Sequence, residues 1–171
     1  MNKKKSLLID ILEVILSVAV ISFILLKFVV LPCEVHGRSM YPTLQEGERT
    51  YSFVITRNLG IKRFDICVVE VNPDEDNEKL LVKRVIGMPN ETVEYKDNVL
   101  YINGEKMDED FLQMEVHTQD LKVTLGDDEY YCLGDNRDIS KDSRYYGPFK
   151  GSDIKATKMF VLYPFDKFGI K

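Results

Sequence analysis

Three stretches of this sequence carry side chains that could do chemistry together. The first is Gly37-Arg38-Ser39-Met40-Tyr41-Pro42-Thr43-Leu44. A serine between a flexible glycine and a proline-containing turn can stand on an exposed bend, its backbone N–H free to help hold an oxyanion. The second is Leu80-Leu81-Val82-Lys83-Arg84-Val85-Ile86-Gly87. In a strand, alternation puts Lys83 on the same face as Leu81 and Val85. A lysine among apolar neighbours loses hydration, which disfavours its charged form. Once its pKa falls from about 10.4 toward about 7–8, the neutral amine can take a proton from a hydroxyl nucleophile. The third stretch, Gly134 to Gly147, holds Asp135, Arg137, Asp138, Ser140, Asp142 and Arg144 behind a mostly apolar run. That composition suits a buried network of carboxylates, guanidinium groups and hydroxyls that fixes a reactive group in place. Taken singly, each stretch also fits a plainer role: a turn serine, two charges at a strand edge, a solvated loop.

Other chemistries find less support. His36 lies three residues before Ser39, too close along an extended chain to turn back easily and take its proton. His117 falls in the least patterned region, so both read as surface or packing histidines. Two histidines and three cysteines, with no Cys-x-x-Cys or His-x-x-x-His among them, argue against a metal site. No cofactor is expected. Cys33, Cys67 and Cys132 read as three separate thiols, although one pair outside the cell stays open. The net charge of -5, with no basic stretch beyond the first few residues, argues against a nucleic-acid partner.

The elements that would position these residues follow from the hydrophobic pattern. Lys3, Lys4 and Lys5 precede a nearly continuous apolar stretch from Leu7 to Leu31. A helix from Ile11 to Leu31 would be about 30 Å long, matching the hydrocarbon core of a bilayer, and Pro32 would stop it. The lysine cluster places the N-terminus inside and everything after Pro32 outside. The organisation expected is a short cytoplasmic N-terminus (1–10), a transmembrane helix (11–31) and one extracytoplasmic domain (32–171). No Ala-x-Ala precedes Cys33, as a cleaved leader would require, and no polar face suggests an interfacial helix. Beyond Pro32 the runs are short and rich in Val, Ile, Tyr and Phe. Strands are expected at Thr50–Ile55, Asp65–Val71, Leu80–Ile86, Glu91–Lys96, Val99–Ile102, Glu129–Leu133 and Lys155–Leu162. Asn103-Gly104 signals a type I′ hairpin, Pro73–Glu78 an exposed loop, and Phe111–Asp120 a loop or short strand.

In this order the three stretches resemble the type I signal peptidases, serine–lysine proteases of family S26, in particular the short single-span forms of Gram-positive type. Ser-Met-x-Pro-Thr-Leu matches Ser39 to Leu44, and Lys-Arg-Val-Ile-Gly-x-Pro matches Lys83 to Pro89. Gly-Asp-Asn-x-x-x-Ser-x-Asp-Ser-Arg-x-x-Gly matches Gly134 to Gly147, and a weaker element appears as Arg63-Phe64-Asp65-Ile66-Cys67-Val68. The resemblance runs from the apolar segment to Tyr163-Pro164-Phe165. It implies a mainly β fold, an antiparallel-sheet or barrel-like catalytic domain behind one transmembrane helix. It implies an endopeptidase that removes signal peptides from secretory preproteins after small residues of Ala-x-Ala type, without cofactor, at the lipid bilayer. Ser39 would be the nucleophile, Lys83 its neutral base, and Ser140 a hydrogen-bond partner that orients Lys83. Asp135, Asp142, Arg84 and Arg144 would form ion pairs holding the third stretch against the Lys83 strand. Val35, Met40, Leu44, Leu81 and Val82 would line small pockets for the substrate's first and third residues before the cut.

The chain departs from the family in a few places. Gly37 stands where some relatives have a serine that donates to the oxyanion, so backbone N–H groups would have to serve. Phe64 and Asn90 replace glycines, outside the expected chemistry. The short segment between the second and third stretches argues against the extra cap domain that some relatives carry. Two other readings are weaker. A self-cleaving Ser–Lys protease like the SOS-response repressors would carry a DNA-binding domain where this chain has its apolar segment. A non-catalytic, membrane-tethered binding module would be favoured by loss of Ser39 or Lys83, and both are present.

Overall fold

The apolar run behind the lysine cluster forms one helix, α1 (Lys3–Val29). Its stretch Leu7–Ile24 is long and apolar enough to cross a membrane, and none of it is buried against the rest of the chain. The helix ends two residues before the expected Leu31, because Val30–Glu34 forms a strand, β1. The cause is local: Leu31 precedes Pro32, which biases it away from helical geometry, and pairing with the next strand takes over. Pro32 is tolerated there because β1 is the edge of its sheet.

The computed structural model describes residues 3–54, 60–71, 79–113, 115 and 117–170. The expected loop Pro73–Glu78 and the final residue of the expected strand Thr50–Ile55 lie outside these. All seven expected strands occur: β2 (Arg49–Phe53), β3 (Ile66–Val71), β4 (Lys79–Gly87), β5 (Thr92–Lys96), β6 (Val99–Ile102), β9 (Glu129–Leu133) and β11 (Ile154–Tyr163). Besides β1, four short ones join them: β7 (Glu105–Met107), β8 (Leu121–Thr124), β10 (Phe149–Lys150) and β12 (Gly169–Ile170). A single turn of helix, α2 (Ser143–Tyr146), follows Asp142, whose side chain caps it. The architecture is mainly antiparallel β on one N-terminal apolar helix.

One sheet runs β1-β2-β11-β3-β4-β9-β10, with β12 added to β11; the other runs β7-β6-β5-β8. The Asn103-Gly104 loop has φ of 52° and 85°, as a type I′ turn requires. Asp97-Asn98 makes a second two-residue loop of the same sign, with φ of 52° and 62°. At Gly87 the chain leaves the large sheet for the small one, and a Cβ there would sit 2.3 Å from Val93 Cγ2. The core has three parts. Ile86, Leu133 and Tyr131 of the large sheet pack against Val93, Tyr95, Leu100 and Ile102 of the small one. Val35, Met40 and Leu44 lie with Ile66, Val68, Met159 and Val161 on one face of the large sheet. Cys67, Val69, Val85, Cys132 and Ile154 pack together in the third part.

Candidate active site

Ser39 lies in the turn-rich connection between β1 and β2. Two anchors hold that connection: the buried side chains of Met40 and Leu44, and the hydrogen bond from Asn136 N–H to the Ser39 carbonyl (3.0 Å). Gly37 adopts φ +84°, which gives the bend its reversal. Lys83 is buried on β4, opposite Cys67 of β3. Its Nζ donates to Ser39 Oγ at 2.9 Å and to the Val82 carbonyl at 3.0 Å. Burial lowers the Lys83 pKa below its ordinary value, and the nearby Asp142, Cys67, Cys132 and Asp135 only partly oppose this. A serine hydroxyl thus meets a desolvated amine within hydrogen-bond reach. Such a pair can make a nucleophile and its base. His36 is exposed, and His117 sits against Asp138.

The third stretch wraps this pair. Arg84 Nε and Nη2 make a two-pronged bond to Asp135 (2.8 and 2.7 Å), joining β4 to the third stretch, while Arg84 Nη1 donates to the Phe64 carbonyl. Arg144 pairs with Asp142 in the same two-pronged way (2.9 and 2.8 Å), but that pair stays within the third stretch. Burial alone would raise the Asp142 pKa. The bonds from Arg144 and the Gly134 N–H outweigh it and hold the carboxyl below its ordinary value. Gly134 is the point of closest approach: a Cβ there would lie 2.2 Å from Ser140 Oγ and 2.5 Å from the Ser39 carbonyl oxygen.

Ser140 stands beside the pair with its Oγ buried toward Asp142, and no hydrogen bond joins it to Lys83 among the described residues. Of the five residues expected to line substrate pockets, Val35, Met40 and Leu44 are buried core, with Val82 packed against them. They back a wall, and only the half-buried Val82 and Leu81 offer surface. Leu81 pairs with Val69 and Val82 with Val68, so the two point to opposite faces of β4.

Phe64 and Asn90, the two glycine replacements, have φ of 68° and 65°, the left-handed region glycine favours. Asparagine tolerates it, whereas phenylalanine does so only under strain. The Phe64 ring rests 5.0 Å from that of Phe111, over which the Arg84 guanidinium stacks at 4.2 Å, so Phe64 touches the support of the site after all.

A buried triad escaped sequence reasoning. Arg137 donates to Tyr95 Oη (2.6 Å), Glu109 Oε1 (2.6 Å) and the Gly134 carbonyl (3.0 Å). Burial pushes the Tyr95 hydroxyl up, beyond any physiological titration. The same stretch as Asp135 supplied the arginine, but nothing in sequence marked Tyr95 or Glu109 as its partners.

The profile described as "Signal peptidase, peptidase S26" matches residues 8–163. The chain belongs to that signal peptidase family. Signal peptidase IB of Staphylococcus aureus (strain COL) is 37% identical, over 93% of this chain and 93% of its own. Signal peptidase I P of Bacillus subtilis subsp. natto is 35% identical, over 97% and 95%. A crystal structure of a signal peptidase I from Enterococcus faecalis V583 is 38% identical, covering 57% of this chain and 95% of that one, with a TM-score of 0.49. For this peptidase the three cysteines are free thiols. Cys67 and Cys132 approach to 3.8 Å through their sulfurs. They stand on strands either side of β4, however, roughly 9–10 Å apart in the sheet and beyond disulfide reach.

Proposed function

We propose that this signal peptidase cuts by a Ser39–Lys83 dyad, on the outer face of the membrane, after small residues of Ala-x-Ala type. The observation that carries the reading is the 2.9 Å bond between Lys83 Nζ and Ser39 Oγ, made by a lysine that burial biases toward neutrality. Neutral Lys83 takes the Ser39 proton as Oγ attacks the scissile carbonyl. The Ser39 N–H, which no described backbone carbonyl accepts, would donate to the oxyanion that forms. Protonated Lys83 then returns its proton to the leaving amine, and the signal peptide stays as an ester on Ser39. Water, deprotonated by the same amine, releases it.

Substrate would bind as an added strand. β9 pairs with β4 only from Arg84 onward, so Leu81 to Lys83 have no strand partner on that side among the described residues. The half-buried Val82 over the buried Val35, Met40 and Leu44 gives a shallow wall that suits short side chains, while Leu81 faces the other side of β4. Lys3, Lys4 and Lys5 ahead of the span keep the N-terminus cytoplasmic, and the anchor confines the site to the surface where signal peptides emerge. The division into a cytoplasmic N-terminus, a membrane span and an outer domain is part of this proposal, with the span ending at Val29, where α1 gives way to β1.

The test is a detergent-purified protein incubated with a preprotein bearing Ala at the first and third positions before the cut, with products identified by mass. Wild type cuts after the second Ala, whereas folded Ser39→Ala and Lys83→Ala do not. Cleavage by Lys83→Ala at the wild-type rate would assign the base elsewhere.

A further inference from the structure

A second concavity borders the site. A cavity of about 580 Å³ lies against the third stretch, with Ser140, Arg144 and Tyr145 on one wall and Asn98, Thr118 and Gln119 on another. None of the apolar cluster beneath Ser39 lines it. Ser140 is the shared wall, because the Cβ position of Gly134 that crowds Ser140 also crowds the Ser39 carbonyl. Every residue that lines it carries a polar or charged group. Arg144 is partly exposed, Asn98 and Gln119 are exposed, and Thr118, 5% exposed, holds its Oγ1 buried without a partner.

An endopeptidase must hold chain on both sides of the bond it cuts. The apolar wall of Val82 and the cluster behind it suits the signal side. A polar segment placed there would bury amides and side chains without partners, at real cost. The cavity differs in character, offering donors and acceptors beside Ser140, the wall it shares with the site. We infer that it receives the first residues of the mature chain, those following the scissile bond, as an extended polar segment hydrogen-bonded along Thr118, Gln119, Arg144 and Asn98. The inference rests on the signal peptidase reading above and adds a specificity element to it.

The full-length protein in detergent would be given peptides that share one signal-side sequence and end one, two or four polar residues after the cut. In wild type, kcat/KM rises about tenfold along the series, the scale of one or two added hydrogen bonds. Gln119→Trp, which fills the cavity from an exposed position, and Tyr145→Ala, which opens the opposite wall, flatten that rise. The shortest peptide is the reference within each variant, so a partly unfolded preparation lowers every rate together and leaves the ratio intact. A rise that survives in both variants overturns the cavity's role. A flat series in wild type overturns mature-side docking altogether. Failure of wild type to cut any peptide, the shortest included, strikes instead at the signal peptidase reading.

Discussion

Lys83 is a compromise between stability and chemistry. Its folded pKa lies below the unfolded value of about 10.4. Between the two, the unfolded chain binds more protons, so wild-type stability rises with pH through that window. Below the folded pKa the protein bears the full cost of a buried ammonium, and above the unfolded pKa it bears none. Lys83→Met keeps the volume and removes the charge. It should therefore abolish cleavage yet stabilise the fold, by roughly 1–3 kcal/mol at pH below the folded value, with the gain shrinking as pH climbs. Denaturant titrations of both proteins across pH measure this, and a gain independent of pH would argue against a desolvated amine. Gly134 is the other single-residue constraint. Gly134→Ala drives a methyl into Ser140 and the Ser39 carbonyl, and a displaced nucleophile should lose about a hundredfold in kcat/KM while the protein remains folded. Undiminished turnover would mean that the third stretch does not position Ser39.

Among the elements, the small sheet supports the site through Arg137 of the third stretch. Tyr95 on β5 and Glu109 beyond β7 grip Arg137, which holds the Gly134 carbonyl. Removing the carboxylate with Glu109→Ala strands a buried guanidinium and should cost about 3–5 kcal/mol. Urea unfolding measures it, and a loss under about 1 kcal/mol would mark the pair as exposed in practice. This is also where sequence reading stops. Ser39, Lys83 and the third stretch were legible because each lies in a run of distinctive residues, and strand alternation placed Lys83 among apolar neighbours. Glu109 and Tyr95, the partners of Arg137, were not, since separations of 28 and 42 residues leave no local signal. The longer strands showed as runs of branched and aromatic residues. Strands such as β10 and β12, two residues each, exist only through their partners, and β1 was hidden behind the apolar run of the helix. Ser140 was expected on Lys83, but Lys83 spends its bonds on Ser39 and Val82.

For the whole molecule, the junction between anchor and domain is a strand rather than a linker. β1 pairs along its length with β2, and its Leu31 and Cys33 pack on the cluster beneath Ser39. A protein beginning at Val30 should keep the thermal stability of the intact domain. One beginning at Val35 should melt several degrees lower and aggregate through the bared edge of β2. Equal melting temperatures would show β1 to be dispensable and the junction a mere tether. The strand that leaves the helix leads directly into the connection carrying Ser39.

The central claim is that neutral Lys83 deprotonates Ser39, and the pH dependence of kcat/KM on a signal-side peptide tests it most directly. Activity should rise with pH as one group loses its proton, at a midpoint clearly below the roughly 10.4 of an ordinary lysine. In folded Lys83→Ala both the activity and that limb should vanish. A midpoint at the ordinary lysine value, or the same limb surviving in Lys83→Ala, would contradict the account.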